Sequence, residues 1–445
     1  MRQSPLKRLD THRNETNMSS LTKRAAVESR TPAPRAAMLA ALDIGASKIT
    51  CFIGSTGQGT GPLRVAGVGT QPARGVRNGA IVDLEAATKA VRAAIAQAER
   101  MSGVTVSEVV VSVSGFGVRA EQAHGEITFA NAEIGPKERR RVVGSALAQV
   151  RLDGRSILHA TPSFFVVDGQ KVRDPRGMLG RRLGVAVTVV TAPTPQWRNI
   201  VLCVERATYT ISGSVAAPYA AALGALAEDD LELGALVVDM GARSTTAALF
   251  HAGALIHVDA VPIGSDHVTH DIAHCLGTTA AAAERLKIVH GSAIASLNED
   301  NLMIDAPRMG EDGQLISDQA PRSILTGVVR PRVEETLELL RDRLRAGGLD
   351  KLNAGRRIVL TGGGSQLNGV RELAARVFEG HVRIGRPQRF TGLGDAVAGP
   401  GYSVAAGLLR WGVERPTDMA SSASQMVEPS SHPVARAVQW LKDNF

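Results

Sequence analysis

From Met38 onward the chain alternates short apolar, β-branched runs with Ala-rich stretches of helical period, the pattern of an α/β fold. Residues 42–54 read as strand, tight turn, strand. Asp83 stands where a helix N-cap belongs, and Leu84, Ala87, Val91, Ile95 and Ala98 then fall on one face. A buried strand follows at 109–113. Between 117 and 193 the texture changes: Pro136 opens a basic helix to about Val150, and extended runs lie at 163–167 and 184–191 with Gly and Pro between them. This reads as an inserted α+β subdomain. Thr194 and Pro195 start another helix, and helical texture continues through 217–227 to an acidic break at Glu228, Asp229 and Asp230.

The opening pattern then returns. LDIGASKITCFI at 42–53 and VDMGARSTTAAL at 238–249 share an acid, a glycine two residues later, a polar turn and a second apolar run, 196 positions apart. One strand-turn-strand unit used twice predicts two related lobes. A helix is expected from about Ser265, an Ala-rich helix entered at Thr278, and a Gly- and acid-rich loop around 298–325. A long helix carrying Val333, Leu337, Leu340 and Leu344 is closed by Gly347. The strand at 357–360, the loop at 361–365 and a helix to Phe378 form a third glycine-rich element.

Composition narrows the class. With 445 residues, 44% apolar and 21% charged, the chain suits a soluble globular protein of two to four domains, and no apolar run approaches the ~18 residues of a membrane span. The net charge is +8, of which residues 1–37 carry +5. That segment lacks an apolar period and the apolar core of a secretory signal, and reads as a disordered basic arm. Aromatic residues at 3% offer few stacking platforms, so nothing points to nucleic acid. Cys51, Cys203 and Cys275 sit singly in apolar segments, which favours core positions and a reducing compartment over a disulfide framework or a zinc site.

The three loops carry candidate chemistry. A glycine at position 45 or 241 lets backbone N–H groups approach phosphate oxygens, and hydroxyls at Ser47, Ser244 and Thr245 add donors. Asp43 and Asp239, at strand ends, are placed to hold magnesium through water. Gly362, Gly363 and Gly364 allow a flat base or sugar to lie on bare backbone. Glu284 and Lys287, read alone, are a solvated i, i+3 ion pair. His267, His270 and His274 share a helical face at i, i+3, i+7 beside Asp266 and Asp271. A spacing this loose fits surface or packed histidines better than a metal site.

D-I-G-A-S-K, D-M-G-A-R-S-T and T-G-G-G-S-Q-L-N-G-V resemble, in that order, the first phosphate, second phosphate and adenosine motifs of the actin, Hsp70 and sugar-kinase superfamily. Within it the chain resembles the FtsA family of bacterial cell division proteins. A-E-R-L-K-I-V-H-G-S-A at 283–293, R-P-R-V-E-E-T-L-E-L-L at 330–340, the insert and the C-terminal linker with its short helix are also similar. The resemblance covers 38–445. It implies an actin-like (ribonuclease H-like) two-lobed fold: residues 38–116 plus 194–233, with 398–411 returning to them, form the first lobe, 117–193 the inserted subdomain and 234–397 the second lobe.

The resemblance also implies ATP and Mg2+ in the cleft. It puts Asp43, Gly45, Ser47 and Lys48 on one side of the phosphates, Asp239, Gly241 and Ser244 on the other, Glu284 and Lys287 near the ribose, and Gly362 to Gly364 at the adenosine. The activity implied is at most a weak ATPase acting as a structural switch. The implied partners are FtsZ, further copies in filaments, later divisome membrane proteins and lipid, at the cytoplasmic face of the bacterial inner membrane at the division site. A pilus-assembly ATP-binding scaffold and a sugar kinase of the same superfamily are the alternatives. Ala242 and Arg243 depart from the small glycines usual in the second phosphate loop. Two readings of Arg243 stand open, a fork of donors on the phosphates and a side chain turned to solvent.

After Trp411 the composition turns to Pro, Ser, Met and Glu, a flexible linker at 412–432. Residues 433–445 return to an amphipathic pattern. On a helical wheel Val434, Val438, Leu441 and Phe445 fall within about 60°, flanked by Trp440 and Lys442. Docking on the protein itself or a second copy is one use of such a face. The long linker, the flanking Trp and Lys and the resemblance favour a membrane-binding helix.

Overall fold

The computed structural model describes residues 38–56, 62–296, 301–349, 357–388 and 390–414. The basic arm at 1–37, the linker beyond 414 and the helix at 433–445, with Val434, Val438, Trp440, Leu441 and Phe445, lie outside them.

Two sheets of one topology dominate. In the first, Leu39–Ile44, Lys48–Thr56 and Leu63–Pro72 form an antiparallel meander. Glu108–Val113 adds parallel to the first of these, and Thr210–Ala216 parallel to that. In the second sheet Ala235–Met240, Thr245–His251 and Ala254–Val261 form the meander, and Arg357–Thr361 and His381–Ile384 are the parallel additions. Spatial order is third, second, first, fourth, fifth in both, the ribonuclease H-like arrangement expected. Even the register repeats: Asp43 faces Thr50 and Ile44 faces Ile49, as Asp239 faces Thr246 and Met240 faces Thr245.

Helices cover both faces of the first sheet because its strands are apolar on both sides. Helix Leu84–Ser102 starts where Asp83 accepts from Ala86 N at 3.0 Å, and buries Ala87, Val91, Ile95 and Ala98. It lies so close to strand Leu63–Pro72 that a Cβ at Gly69 would stand 1.9 Å from Ala94 O. On the opposite face lies helix Ser403–Glu414, with Leu409 against Gly54. Helix Ala217–Ala225 is buried at every residue, between this helix and the second sheet. The far face of the second sheet packs on the long helix Arg322–Ala346, through Val333, Leu337, Leu340 and Leu344.

The insert is a four-stranded antiparallel sheet, in spatial order Arg119–Glu133, Leu179–Pro193, Arg155–Val167 and Gln170–Val172, with helix Pro136–Leu147 on one face. Val142, Val143, Phe165, Leu183, Val185 and Val187 form its own core. It touches the first lobe where His159 Nε2 accepts from Ala216 N at 2.9 Å. It touches the second where Thr188 Oγ1 donates to Leu255 O at 2.8 Å and Gln122 Nε2 to Ile256 O at 2.7 Å.

Several expectations are corrected. Strand Thr210–Ala216 interrupts the helical stretch expected from Thr194 to Ala227, and the acidic break is itself a short helix, Glu228–Leu233. The loop at 298–325 contains two small strand pairs, Met303–Asp305 with Gln319–Pro321 and Arg308–Met309 with Leu315–Ile316, and helix Arg322–Ala346 begins inside it. The chain rejoins the first sheet before 398: Phe390–Thr391 pairs parallel with Leu63–Pro72, whose outer edge is open to a further strand. Helix Ser403–Glu414 continues past the expected linker start, because Trp411 and Gly412 are buried against the first sheet and Arg410 pairs with Glu414 at 2.8 Å. Cys51 and Cys203 are buried, but Cys275 is exposed near its helix end.

Candidate functional site

The two repeated turns face each other across a cleft of about 890 Å³, with the glycine triplet on a third wall. In each turn the glycine N–H is consumed locally, by Lys48 O at 3.1 Å for Gly45 and by Ser244 O at 3.0 Å for Gly241. Glycine is required because a Cβ would stand 2.8 and 2.9 Å from those same carbonyls. The amides left over belong to the next residues. Ala46, Ser47, Ala242 and Arg243 line the cleft, and their N–H groups have no acceptor among the described residues. Such adjacent free amides make an anion-binding concavity. The exposed Ser47 and the half-buried Ser244 also line it, but the Thr245 hydroxyl is buried and donates to Ile263 O at 2.8 Å.

An acid ends the strand before each turn. Asp43 is buried and accepts from Ser112 Oγ at 2.8 Å, while Ser112 Oγ accepts from Ile44 N at 2.9 Å. Burial raises its carboxyl to about 6, opposed by the Ser112 hydrogen bond and the charge of Lys48. The Asp239 carboxyl, partly open to the cleft, has no hydrogen bond or ion pair among the described residues. Desolvation and then the Asp43 charge raise it to about 7, opposed by Lys48. Two mutually repelling carboxylates, one unpartnered in a cleft with free amides, form a donor set that a hard divalent cation fits. Lys48 Nζ sits 3.3 Å from the centroid of the Tyr402 ring, a cation–π contact that holds it at the cleft.

The third wall is bare backbone. Gly362 has φ +82° and abuts Asp239, where a Cβ would come within 2.3 Å of Oδ1, so no other residue fits. Gly363 is open, with no atom within 4 Å of a Cβ position, and Gly364 packs on Met240. Nearby, Lys287 and Glu284 are joined as expected, but the reading as a solvated pair does not hold. Lys287 is buried, and its three N–H groups donate to Glu284 Oε2 at 2.6 Å, Thr269 Oγ1 at 2.8 Å and Ser265 O at 3.1 Å. An ammonium has three donors, so Lys287 is saturated, and Glu284 is the member able to accept from a ligand.

Arg243 meets a carboxylate that neither reading includes, for its Nε is 2.6 Å from Asp266 Oδ2. His267 Nδ1 accepts from Gly264 N at 3.1 Å and caps its own helix, Ser265–Leu276. Among the described residues no group of three His, Cys, Asp or Glu side chains could hold a metal. Sequence reasoning missed Ser112 and Tyr402, which act from remote segments. No local signal marks either one.

Residues 236–407 match the family model described as cell division protein FtsA, and residues 115–191 match the SHS2 domain inserted in FtsA. The chain is 40% identical over 427 residues to cell division protein FtsA of Rhizobium meliloti, covering 93% of this chain and 96% of that one. To FtsA of Pseudomonas aeruginosa it is 35% identical (92% and 98% covered), and to that of Escherichia coli 33% (92% and 98%). Among solved structures it is similar to the PilM-PilN type IV pilus biogenesis complex, with TM-score 0.60, 18% identity and coverage of 84% and 98%. MreB5 of Spiroplasma citri bound to ADP gives TM-score 0.50, 14% identity and coverage of 84% and 95%. Sheet order, duplicated turns and the cleft between them define an actin-like protein with an inserted SHS2 domain. The identity to curated relatives runs through both lobes and the insert. The chain belongs to the FtsA family of cell division proteins.

Proposed function

We propose that the cleft binds ATP with magnesium, and that the protein works as a nucleotide-dependent switch that polymerises and tethers FtsZ to the cytoplasmic face of the inner membrane, where it recruits later divisome proteins. The observation that carries the nucleotide reading is the pair of turns in equal register. Each presents an acid and free amides to one cleft whose third wall is glycine backbone. Asp43 and Asp239 would hold magnesium, which supplies charge neutralisation of the phosphates. The amides of Ala46, Ser47, Ala242 and Arg243, with Lys48, Ser47 and Ser244, take the phosphate oxygens on both sides. Glu284, oriented by Lys287, accepts from the ribose, and Gly362 to Gly364 receive the adenosine. The fold shared with an ADP-bound structure supports this reading.

Gly363→Val tests it. Because the added side chain enters open cleft space, the fold is expected to be unchanged, and ATP affinity measured by titration calorimetry to fall at least ~100-fold through steric exclusion. An unaltered Kd would remove the glycine triplet from the site.

The membrane half of the proposal rests on residues 433–445 and on the family. Burying Val434, Val438, Leu441 and Phe445 gains at most about 1.5 to 3 kcal/mol each, offset by ordering a short helix and by partial immersion. One tail therefore binds weakly, and a filament presents many at high effective concentration. Leu441→Glu is expected to abolish co-sedimentation with liposomes, and dilution below the assembly concentration to release the wild type. Undiminished pelleting of Leu441→Glu would transfer the anchor to residues 1–37.

A further inference from the structure

Arg243 occupies the second turn with its backbone fixed. Ser265 N donates to Gly241 O at 2.9 Å and Asp266 N to Ala242 O at 2.8 Å, so the turn is stapled to the start of helix Ser265–Leu276. Gly264 makes that approach possible, since a Cβ there would lie 2.6 Å from Ala242 O. The side chain is tied more loosely. Its one partner among the described residues is Asp266, through Nε, with the two side chains 30% and 28% exposed and both lining the cleft. A guanidinium held at Nε keeps four N–H donors at Nη1 and Nη2. None makes a hydrogen bond among the described residues.

We propose that Arg243 is a phosphate-binding residue held in reserve by Asp266: the guanidinium rests on the carboxylate until nucleotide binds and is then transferred to phosphate oxygens. The inference rests on the nucleotide reading above and adds an exchange between two anions. The energetics favour the exchange. A partly exposed ion pair is worth little, whereas a guanidinium set against a dianionic phosphate makes paired, charge-assisted hydrogen bonds. Neighbouring Lys48 shows the same economy, since its ammonium rests on the Tyr402 ring instead of on a carboxylate. Asp266 is thus a competitor for the cation, and its removal should strengthen binding.

The test is a double-mutant cycle of Arg243→Met and Asp266→Asn, read as the Kd for Mg-ATP by titration calorimetry. Arg243→Met is expected to weaken binding about tenfold, and Arg243→Lys, which lacks the fork, to recover only part of that loss. Asp266→Asn is expected to tighten binding about three- to tenfold in the wild-type background and to have no effect in the Arg243→Met background. A gain of equal size in both backgrounds would show Asp266 acting as a plain negative charge and would overturn the proposal. Unchanged affinity of Arg243→Met would overturn it as well while leaving nucleotide binding intact. Failure of the wild type to bind Mg-ATP would remove the nucleotide reading, and this inference with it.

Discussion

Asp239→Asn is expected to make the nucleotide-free protein more stable than the wild type while removing the magnesium-dependent part of its ATP affinity. Asp43 and Asp239 titrate as a coupled pair, raised to about 6 and about 7 from a carboxylate value of 3.8. The folded protein therefore holds protons that the unfolded chain releases. Stability falls as pH rises from about 4 and levels off once pH has passed about 7, where both groups are charged. Raising a carboxyl pKa tenfold in proton affinity disfavours the charged form by about 1.4 kcal/mol, so neutralising one partner at pH 8 should return roughly 2 to 4 kcal/mol. Urea unfolding at pH 8 and pH 5 reads this directly. The advantage of the variant should be present at pH 8 and shrink toward pH 5. Magnesium binding has the opposite dependence, since protons compete for the same oxygens and affinity falls below about pH 7. A variant whose ATP affinity still rises with magnesium as in the wild type would remove Asp239 from the metal site.

The second large effect is structural. Gly407→Val should leave little folded protein. Helices Ala217–Ala225 and Ser403–Glu414 cross backbone to backbone: a Cβ at Gly407 would stand 1.7 Å from Ala220 O, and one at Gly224 2.1 Å from Ser403 O. Neither helix has room to retreat, since one is buried at every residue and the other is seated on the first sheet by Leu409 and Trp411. The cost should exceed the ~1 to 3 kcal/mol usual for overpacking, because backbone has to move. Gly327→Ala is the contrast. It too lies within a helix, but its Cβ would meet nothing within 4 Å, so the substitution should stabilise by up to ~1 kcal/mol. Soluble yield and thermal melting distinguish the pair, and a Gly407→Val protein melting within a few degrees of the wild type would refute the close crossing.

What could be read from the sequence was whatever is encoded locally and repeated. The acid, the glycine two residues on and the second apolar run recur at 196 positions because the same turn in the same register is built twice. What could not be read depends on distant partners. Strand Thr210–Ala216 has its β-branched residues Thr210, Ile211 and Val215 interrupted by Ser212, Gly213 and Ser214. Gly213 is there because the Trp411 ring, 198 positions away, comes within 2.6 Å of where a Cβ would sit. Lys287 looked solvated because Ser265 and Thr269, which complete its shell, lie on another helix. Arg243 could be weighed against phosphate or solvent, but Asp266 reaches it only through the stapled turn. Which amides the turns leave free could not be read either, since that depends on the carbonyls of Lys48 and Ser244 folding back. The glycines satisfy the turns themselves, and their neighbours offer the amides.

Among the polar contacts that fasten the second lobe, two sites stand beside an apolar patch. At one, Arg383 Nη2 and Gln388 Nε2 converge on Ala225 O at 3.1 and 3.2 Å, at the carbonyl end of helix Ala217–Ala225. At the other, Thr188 and Gln122 of the insert hold the carbonyls of Leu255 and Ile256. Beside them the side chains of Tyr219, Val237, Ala248 and Phe250 belong to one apolar cluster, with the Tyr219 and Phe250 rings 6.0 Å apart. Apolar contact has no preferred direction and yields to a few degrees of swing, whereas a hydrogen bond weakens steeply off its axis. Any displacement of this lobe would therefore be felt first at its directional bonds, among them those to the helix end and to the insert.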